Sequence, residues 1–261
     1  MAKLTYAMIG ALAVGFCGGL WGQSKYRLGV ETSPQLNWLF NADDDLYEEW
    51  RRETTPGISA GITVTYQKSP KWGILFGISY NTMGQRYAVT PDSAASFKRE
   101  LRLTWLKVPI LYQRHFPLDP KTSLVFSAGP QLNLLVGARD EINDEDIFLN
   151  SDTRANEAYQ GLDWSVVGTA GLVFKLGRSE NMVLRTGVKF DVGITDIDNK
   201  VLSWRPLDES GRQVLNPVPF YDNFYGDNQP RRAATRQFSV GIYVGWAIYL
   251  DKPRDPNDPN W

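Results

Sequence analysis

From Tyr26 to Phe40 the chain alternates between two kinds of residue. Tyr26, Leu28, Val30, Thr32, Pro34, Leu36, Trp38 and Phe40 occupy the even positions, and Lys25, Arg27, Gly29, Glu31, Ser33, Gln35 and Asn37 the odd ones. Only Leu39 breaks the rule. Successive side chains of a strand point to opposite faces, so this segment predicts a strand with one apolar and one polar face. The same period recurs along the chain. Gly57–Lys68 carries Ile58, Ala60, Ile62, Val64 and Tyr66 on one face, and the stretch from Trp72 to about Tyr87 carries Trp72, Ile74, Phe76, Ile78 and Tyr80. In Leu101–Phe116 the phase is ambiguous: Leu101, Leu103 and Trp105 give way to Leu106, Val108, Ile110 and Tyr112. A bulge near Trp105 would account for the switch. Later strands are marked by Leu124, Phe126 and Leu132, by Trp164, Val166 and Leu172, by Leu184, Val188 and Phe190, and by Phe238, Val240 and Trp246.

The connections fall into two classes. Lys68–Lys71, Pro117–Lys121 and Gly177–Asn181 are short, whereas Asn41–Pro56, Met83–Glu100, Ala138–Leu162 and Asp196–Arg236 are long. Long and short strictly alternate, which places all long loops at one rim of an up-and-down barrel. The pattern therefore predicts an all-β chain, an eight-stranded antiparallel up-and-down transmembrane β-barrel. A soluble barrel alternates too, but it turns its apolar face inward. Here the polar face is rich in glycine, among them Gly29, Gly57, Gly61, Gly171, Gly187 and Gly241. Glycine weakens an exposed strand yet suits the crowded interior of a narrow barrel. The apolar face carries large rings toward the strand ends. Trp38, Tyr80, Trp105 and Trp164 fall near the long-loop rim, and Tyr26, Tyr66, Trp72 and Trp246 near the other. Two aromatic belts fit two membrane interfaces, with the lipid bilayer of an outer membrane as the barrel's partner.

Aromatic residues make up 13% of the chain, which suits such girdles, and a mean hydropathy of -0.32 does not conflict with a lipid face hidden in alternate residues. A formal net charge of -1 gives no basic footprint for nucleic acid. The N-terminus reads as a secretory signal, with Lys3 ahead of an apolar run from Tyr6 to Phe16 and a cleavage point after Gly22. This divides the chain into a signal peptide (1–22), a barrel (23–250) and a short periplasmic tail (251–261). Cys17, the only cysteine, lies in the removed segment, so the mature chain has no disulfide framework.

Charges of both signs fall on the inward face: Lys25, Arg27, Glu31, Lys175, Arg185, Lys189 and Asp191. Buried charges are tolerated when paired, so this set predicts a charge network that fills the lumen; a gated passage is the sharper alternative. His115, the single histidine, stands at the turn end of its strand and reads as an interface or turn residue. No nucleophile elbow, phosphate-binding loop, dinucleotide fingerprint or paired-cysteine metal site is present, so neither enzyme activity nor a cofactor is expected. The runs Asp43–Asp45 and Asp144–Asp146 could bind divalent cations, but they match no calcium loop and read first as solvated faces, with structural calcium as the alternative and no metal site assigned. In the last long loop, Phe220, Tyr221, Phe224 and Tyr225 stand among Pro, Asn and Gly, and form a candidate partner-binding surface.

Four segments carry a family likeness: 28–38 (LGVETSPQLNW), 105–112 (WLKVPILY), 128–132 (AGPQL) and 187–197 (GVKFDVGITDI). In this order they resemble the PorT-like outer-membrane β-barrels of Bacteroidota. The resemblance implies an eight-stranded outer-membrane barrel without catalytic residues. The founding member of that family takes part in type IX protein secretion, so the resemblance points to an anchor or scaffold for other envelope proteins. The alternatives are a loop-mediated adhesin or receptor, and passage of small molecules through or beside the barrel.

Overall fold

The computed structural model describes residues 26–40, 50–89, 97–143, 148–150, 159–177, 181–197 and 234–250. Ten strands lie among them: β1 (Tyr26–Phe40), β2 (Trp50–Glu53), β3 (Thr55–Ser69), β4 (Trp72–Val89), β5 (Phe97–Pro117), β6 (Thr122–Asn143), β7 (Phe148–Asn150), β8 (Leu162–Leu176), β9 (Met182–Gly193) and β10 (Arg236–Tyr249). Eight close into a ring in the order β4-β3-β1-β10-β9-β8-β6-β5, with β5 pairing back onto β4. Every neighbour is antiparallel. Closure satisfies each strand's backbone groups laterally, which a bilayer demands because it supplies no water to an open edge.

Side chains follow the alternation closely. In β1 the odd residues from Arg27 to Leu39 turn inward and the even ones from Leu28 to Phe40 turn outward. The outer surface exposes Val30, Ile58, Ile62, Ile78, Ile110, Val166, Phe190 and Ile242, the composition of a lipid-facing wall. At the turn rim β3 passes to β4 through Pro70–Lys71, and β5 to β6 through 118–121. In the second turn the Asp119 carboxylate accepts from the backbone N–H groups of Lys121 and Thr122, both at 2.7 Å. The Lys121 N–H and the Thr122 side chain hold that carboxyl below the usual carboxylate range.

Two expectations are corrected. First, 83–100 and 138–162 are not simple loops: β4 runs to Val89, β5 begins at Phe97 and β6 runs to Asn143. β4, β5 and β6 have 18, 21 and 22 residues, where about 9–11 suffice to cross a bilayer. Their upper parts form a sheet beyond the barrel, flanked by β2 on β4 and β7 on β6. The outward residues there become charged once the strand leaves lipid, so the hydrophobic signal ends before the strand does. Second, β5 does not change phase. Its odd residues, from Leu101 through Trp105 and Lys107 to His115, all point inward. The register shift at Thr104/Trp105 is real, but the extra residue is Val136 on β6. Val136 faces outward and Ala138 is buried, so it is β6 whose inward set moves from odd to even positions.

The interior is narrow enough to require glycine where β8 meets β9. Gly171 and Gly187 are register partners, and a Cβ on Gly187 would stand 2.5 Å from the Cα of Gly171. The expected result of Gly187→Val is failure to close the barrel. On unheated gels the variant should lack the fast-migrating folded band, whereas Gly168→Ala, with open space at its Cβ, should retain it.

Candidate functional site: the packed lumen

The inward residues stack in layers from the turn rim upward. Near that rim Arg27 lies with its guanidinium 5.6 Å from the centre of the Tyr249 ring. Val125, Val173, Val183 and Ala247 pack as a small apolar floor against Tyr249. Above it Glu31 faces two cations, Arg185 and Lys189, each at 3.8 Å. Arg185 also sits 5.7 Å from the Tyr243 ring centre. These charges border a cavity of about 20 Å³, roughly the space of one water.

The next layer is a continuous polar network. Lys107 Nζ lies 2.5 Å from Asp191 Oδ2, and both side chains are only 2% exposed. Gln131 Nε2 donates to the same carboxylate oxygen at 2.9 Å and to Ser165 Oγ at 3.0 Å. Asn133 Nδ2 donates to Asp163 Oδ2 at 2.8 Å, and Gln237 and Thr195 donate to Asp163 as well. Past the intervening β3, Gln35 Nε2 donates to Asn81 Oδ1 at 3.1 Å. The first set ties β5, β6, β8, β9 and β10 together through side chains, and the Gln35–Asn81 bond separately joins β1 to β4.

An apolar cluster lies on top. Leu39, Met83, Leu101, Leu103, Trp105, Ala138, Tyr159 and Ile197 pack inside the long-loop end. Leu39, the one break in the alternation of β1, belongs to this plug. Floor, charge layer, polar network and plug fill the described lumen with buried side chains.

The structure brings together Glu31, Arg185 and Lys189, and it holds Arg27 in the layer below. Asp191 joins Lys107 instead, a partner the sequence reading did not single out. Its signal was available: Lys107 has the same parity as Gln113 and His115, but the supposed phase change in β5 put it in doubt. Lys175 is half-buried at the turn end of β8 and is engaged by neighbours. Lys25 lies outside the described residues, as do Phe220, Tyr221, Phe224 and Tyr225, the 1–22 segment and the 251–261 tail.

Among the rings, Tyr80, Trp164 and Trp246 stand on the outer face and are exposed. Trp38 packs against Phe238 at 5.3 Å between centroids, Tyr26 against Tyr66 at 5.1 Å, and Trp72 against Tyr112 at 6.0 Å. Trp105 is a correction: it is completely buried within the plug and takes no part in an outer belt. The reason is parity, since Trp105 shares the inward face of β5 with Lys107. His115 is a second correction. It points into the lower lumen and is buried, and its Nε2 has no hydrogen-bond partner among the described residues. Burial without a charge partner suits a neutral imidazole packed as part of the filling.

A closed antiparallel ring with an apolar outer wall and a polar, filled interior defines an integral β-barrel of the outer membrane. The chain belongs to the outer membrane protein beta-barrel domain family, whose model matches residues 10–199. No curated protein matches it. Among solved structures, Neisserial surface protein A is similar at 12% identity, covering 88% of this chain and 99% of that one, with a TM-score of 0.40. The outer membrane protein OprG from Pseudomonas aeruginosa is similar at 12% identity, over 88% and 98% of the two chains, with a TM-score of 0.42. The attachment invasion locus protein Ail of Yersinia pestis is similar at 8% identity, over 86% and 99%, with a TM-score of 0.36.

Proposed function

We propose that this protein is a non-conducting, non-enzymatic outer-membrane anchor that works by binding partners at its long-loop side. The observation that carries this reading is the filled lumen, with a buried Lys107–Asp191 pair beneath a plug built on Trp105. A barrel filled this way has its usable chemistry at its rim. The sheet formed by the upper β4, β5 and β6 offers a rigid platform there, and the aromatic loop at Phe220, Tyr221, Phe224 and Tyr225 is the surface we assign to the partner. The finer assignment, to the PorT-like family and a secretion or surface-assembly machine such as type IX secretion, rests on the four sequence segments above. Tyr26, Trp38, Tyr66, Trp72, Tyr80, Trp164 and Trp246 serve in this reading as the membrane-interface anchors.

Two experiments test it. In planar bilayers the folded protein should give no stable conductance steps, and Arg185→Ala with Lys189→Ala should not create them. Native extraction in mild detergent followed by mass spectrometry should recover other envelope proteins. Deleting 216–226 should remove them while leaving the heat-modifiable barrel intact. Steady conductance from the wild-type protein would overturn the proposal in favour of passage through the lumen.

A further inference from the structure

Arg114 stands on the outward face of β5 between Tyr112 and Phe116, both exposed rings. Its register partners are Trp72 on β4 and Phe126 on β6. Among the described residues of the eight ring strands, it is the one outward charge with large apolar side chains on both sides along its strand. The outward apolar run of β5 extends from Leu106 to Phe116. At about 3.3 Å per residue and a tilt of about 45°, that run is about 23 Å tall, close to the apolar band of about 25 Å in such barrels. Phe116 therefore marks the lower edge of the hydrocarbon, and Arg114 is rooted one rung inside it. The side chain runs back toward that edge, since its guanidinium carbon lies 5.8 Å from the centre of the Phe116 ring. A long cation carries its charge to the interface this way while its stem stays on apolar surface.

A second cation meets Trp72 from the other side. The β3–β4 ladder shifts register between Gln67 and Ser69, and Lys68 is the extra residue. A bulge re-aims its side chain; here Lys68 is exposed and its Nζ lies 5.3 Å from the centre of the Trp72 ring. Trp72 also stacks on Tyr112 at 6.0 Å. Lys68, Trp72 and Arg114 thus form a row on three adjacent strands, about 10 Å across. Lys71 stands at its foot: its carbonyl accepts from the His115 N–H at 2.8 Å, which sets this exposed residue beside Phe116. Among the described residues neither Lys68 nor Arg114 has a carboxylate partner; each lies against a ring instead. Asp119, the one described carboxylate at this rim, is engaged in its own turn by the backbone N–H groups of Lys121 and Thr122. Cations at that depth gain most from an anion at the same depth, and the anions there are lipid phosphates.

We infer that Arg114 and Lys68, with Lys71 beside them, hold the phosphate of an anionic phospholipid of the inner leaflet. The guanidinium fork takes two phosphate oxygens, and the ammonium adds a point charge. Trp72 and Phe116 give the glycerol and the first acyl carbons an aromatic surface at headgroup level. Short turns lie on the periplasmic side in barrels of this type, which fixes the leaflet.

The test uses the full folded protein in a neutral detergent with phosphatidylglycerol as the probe, read by native mass spectrometry across a lipid titration. The wild-type protein should retain the lipid. Each charge removed should weaken binding about fivefold, so K68Q/R114Q should bind at least about tenfold more weakly. K68R/R114K, which keeps both charges, should bind more tightly than K68Q/R114Q. R236Q, at the long-loop end of β10, should bind as the wild type does. Folding is checked by heat-modifiability, and if the double variant does not fold, R114Q alone should show the fivefold loss. Unchanged affinity in the glutamine variants would overturn the inference. So would equal retention of a diacylglycerol with the same chains, which lacks the phosphate. An equal loss in R236Q would also overturn it, by reducing the binding to overall charge.

Discussion

Lys107→Ala is expected to destabilise the barrel by about 3–5 kcal/mol, the usual cost of removing one member of a buried ion pair. Asp191 would remain 2% exposed, with Gln131 as a donor but no countercharge. Its second oxygen, Oδ1, already lacks a hydrogen-bond partner. The loss should spread beyond the pair, because Lys107 also lies within electrostatic reach of Asp163 on β8. Urea unfolding from detergent micelles, followed by tryptophan fluorescence and by loss of the fast-migrating gel band, measures the effect. Replacing both partners with apolar residues, Lys107→Met with Asp191→Leu, should restore much of the stability, since no unpaired charge is then left inside. Arg86→Gln, which breaks an exposed pair on the outer face, should change it by less than about 1 kcal/mol. A Lys107→Ala protein as stable as wild type would mean that water reaches Asp191, and the lumen would not be sealed at that layer.

That pair also marks how far the sequence could be read. Architecture was legible because a barrel writes itself as a period of two with turns of alternating length, and neither signal depends on distant contacts. The inward charges were legible as a set for the same reason. Their partners were not, because pairing across a lumen depends on strand order and stagger: Lys107 and Asp191 are separated by 84 residues. The plug was hidden differently. Leu39, Leu101, Leu103 and Trp105 are apolar residues on the face that otherwise reads polar, so hydrophobicity alone assigned the β5 members to lipid and left Leu39 as an anomaly. Following parity along β5 through Gln113 and His115 would have placed all of them inside. The full length of the extensions past Met83 and Ala138 escaped because their outer faces carry Arg86, Glu100, Arg102 and Arg139, so the apolar outer signal of the lower strands stops before the strands do. The bulge at Val136 on β6 then shifts the phase at the point where the two patterns meet.

Trp105→Ala separates the two readings of that residue with the second large effect. As an outer-belt ring Trp105 would contact lipid, and its truncation would cost little because lipid tails are as apolar as the side chains they replace. As the centre of the plug it is fully buried, and its removal leaves a cavity among Leu39, Met83, Leu101 and Leu103. The expected loss is about 3–5 kcal/mol, against less than about 1 kcal/mol for Trp164→Ala, whose ring is 46% exposed on the outer wall. Both are measured by the same urea titration, with the two variants compared in one detergent. Conductance supplies a second axis. The Trp105→Ala barrel should still pass no current, because the Lys107, Asp191 and Gln131 layer closes the lumen beneath the plug. Large destabilisation without current would place the plug in stability and the polar network in sealing. Current appearing with Trp105→Ala alone would make the plug the gate, and the barrel a conduit held shut by one ring.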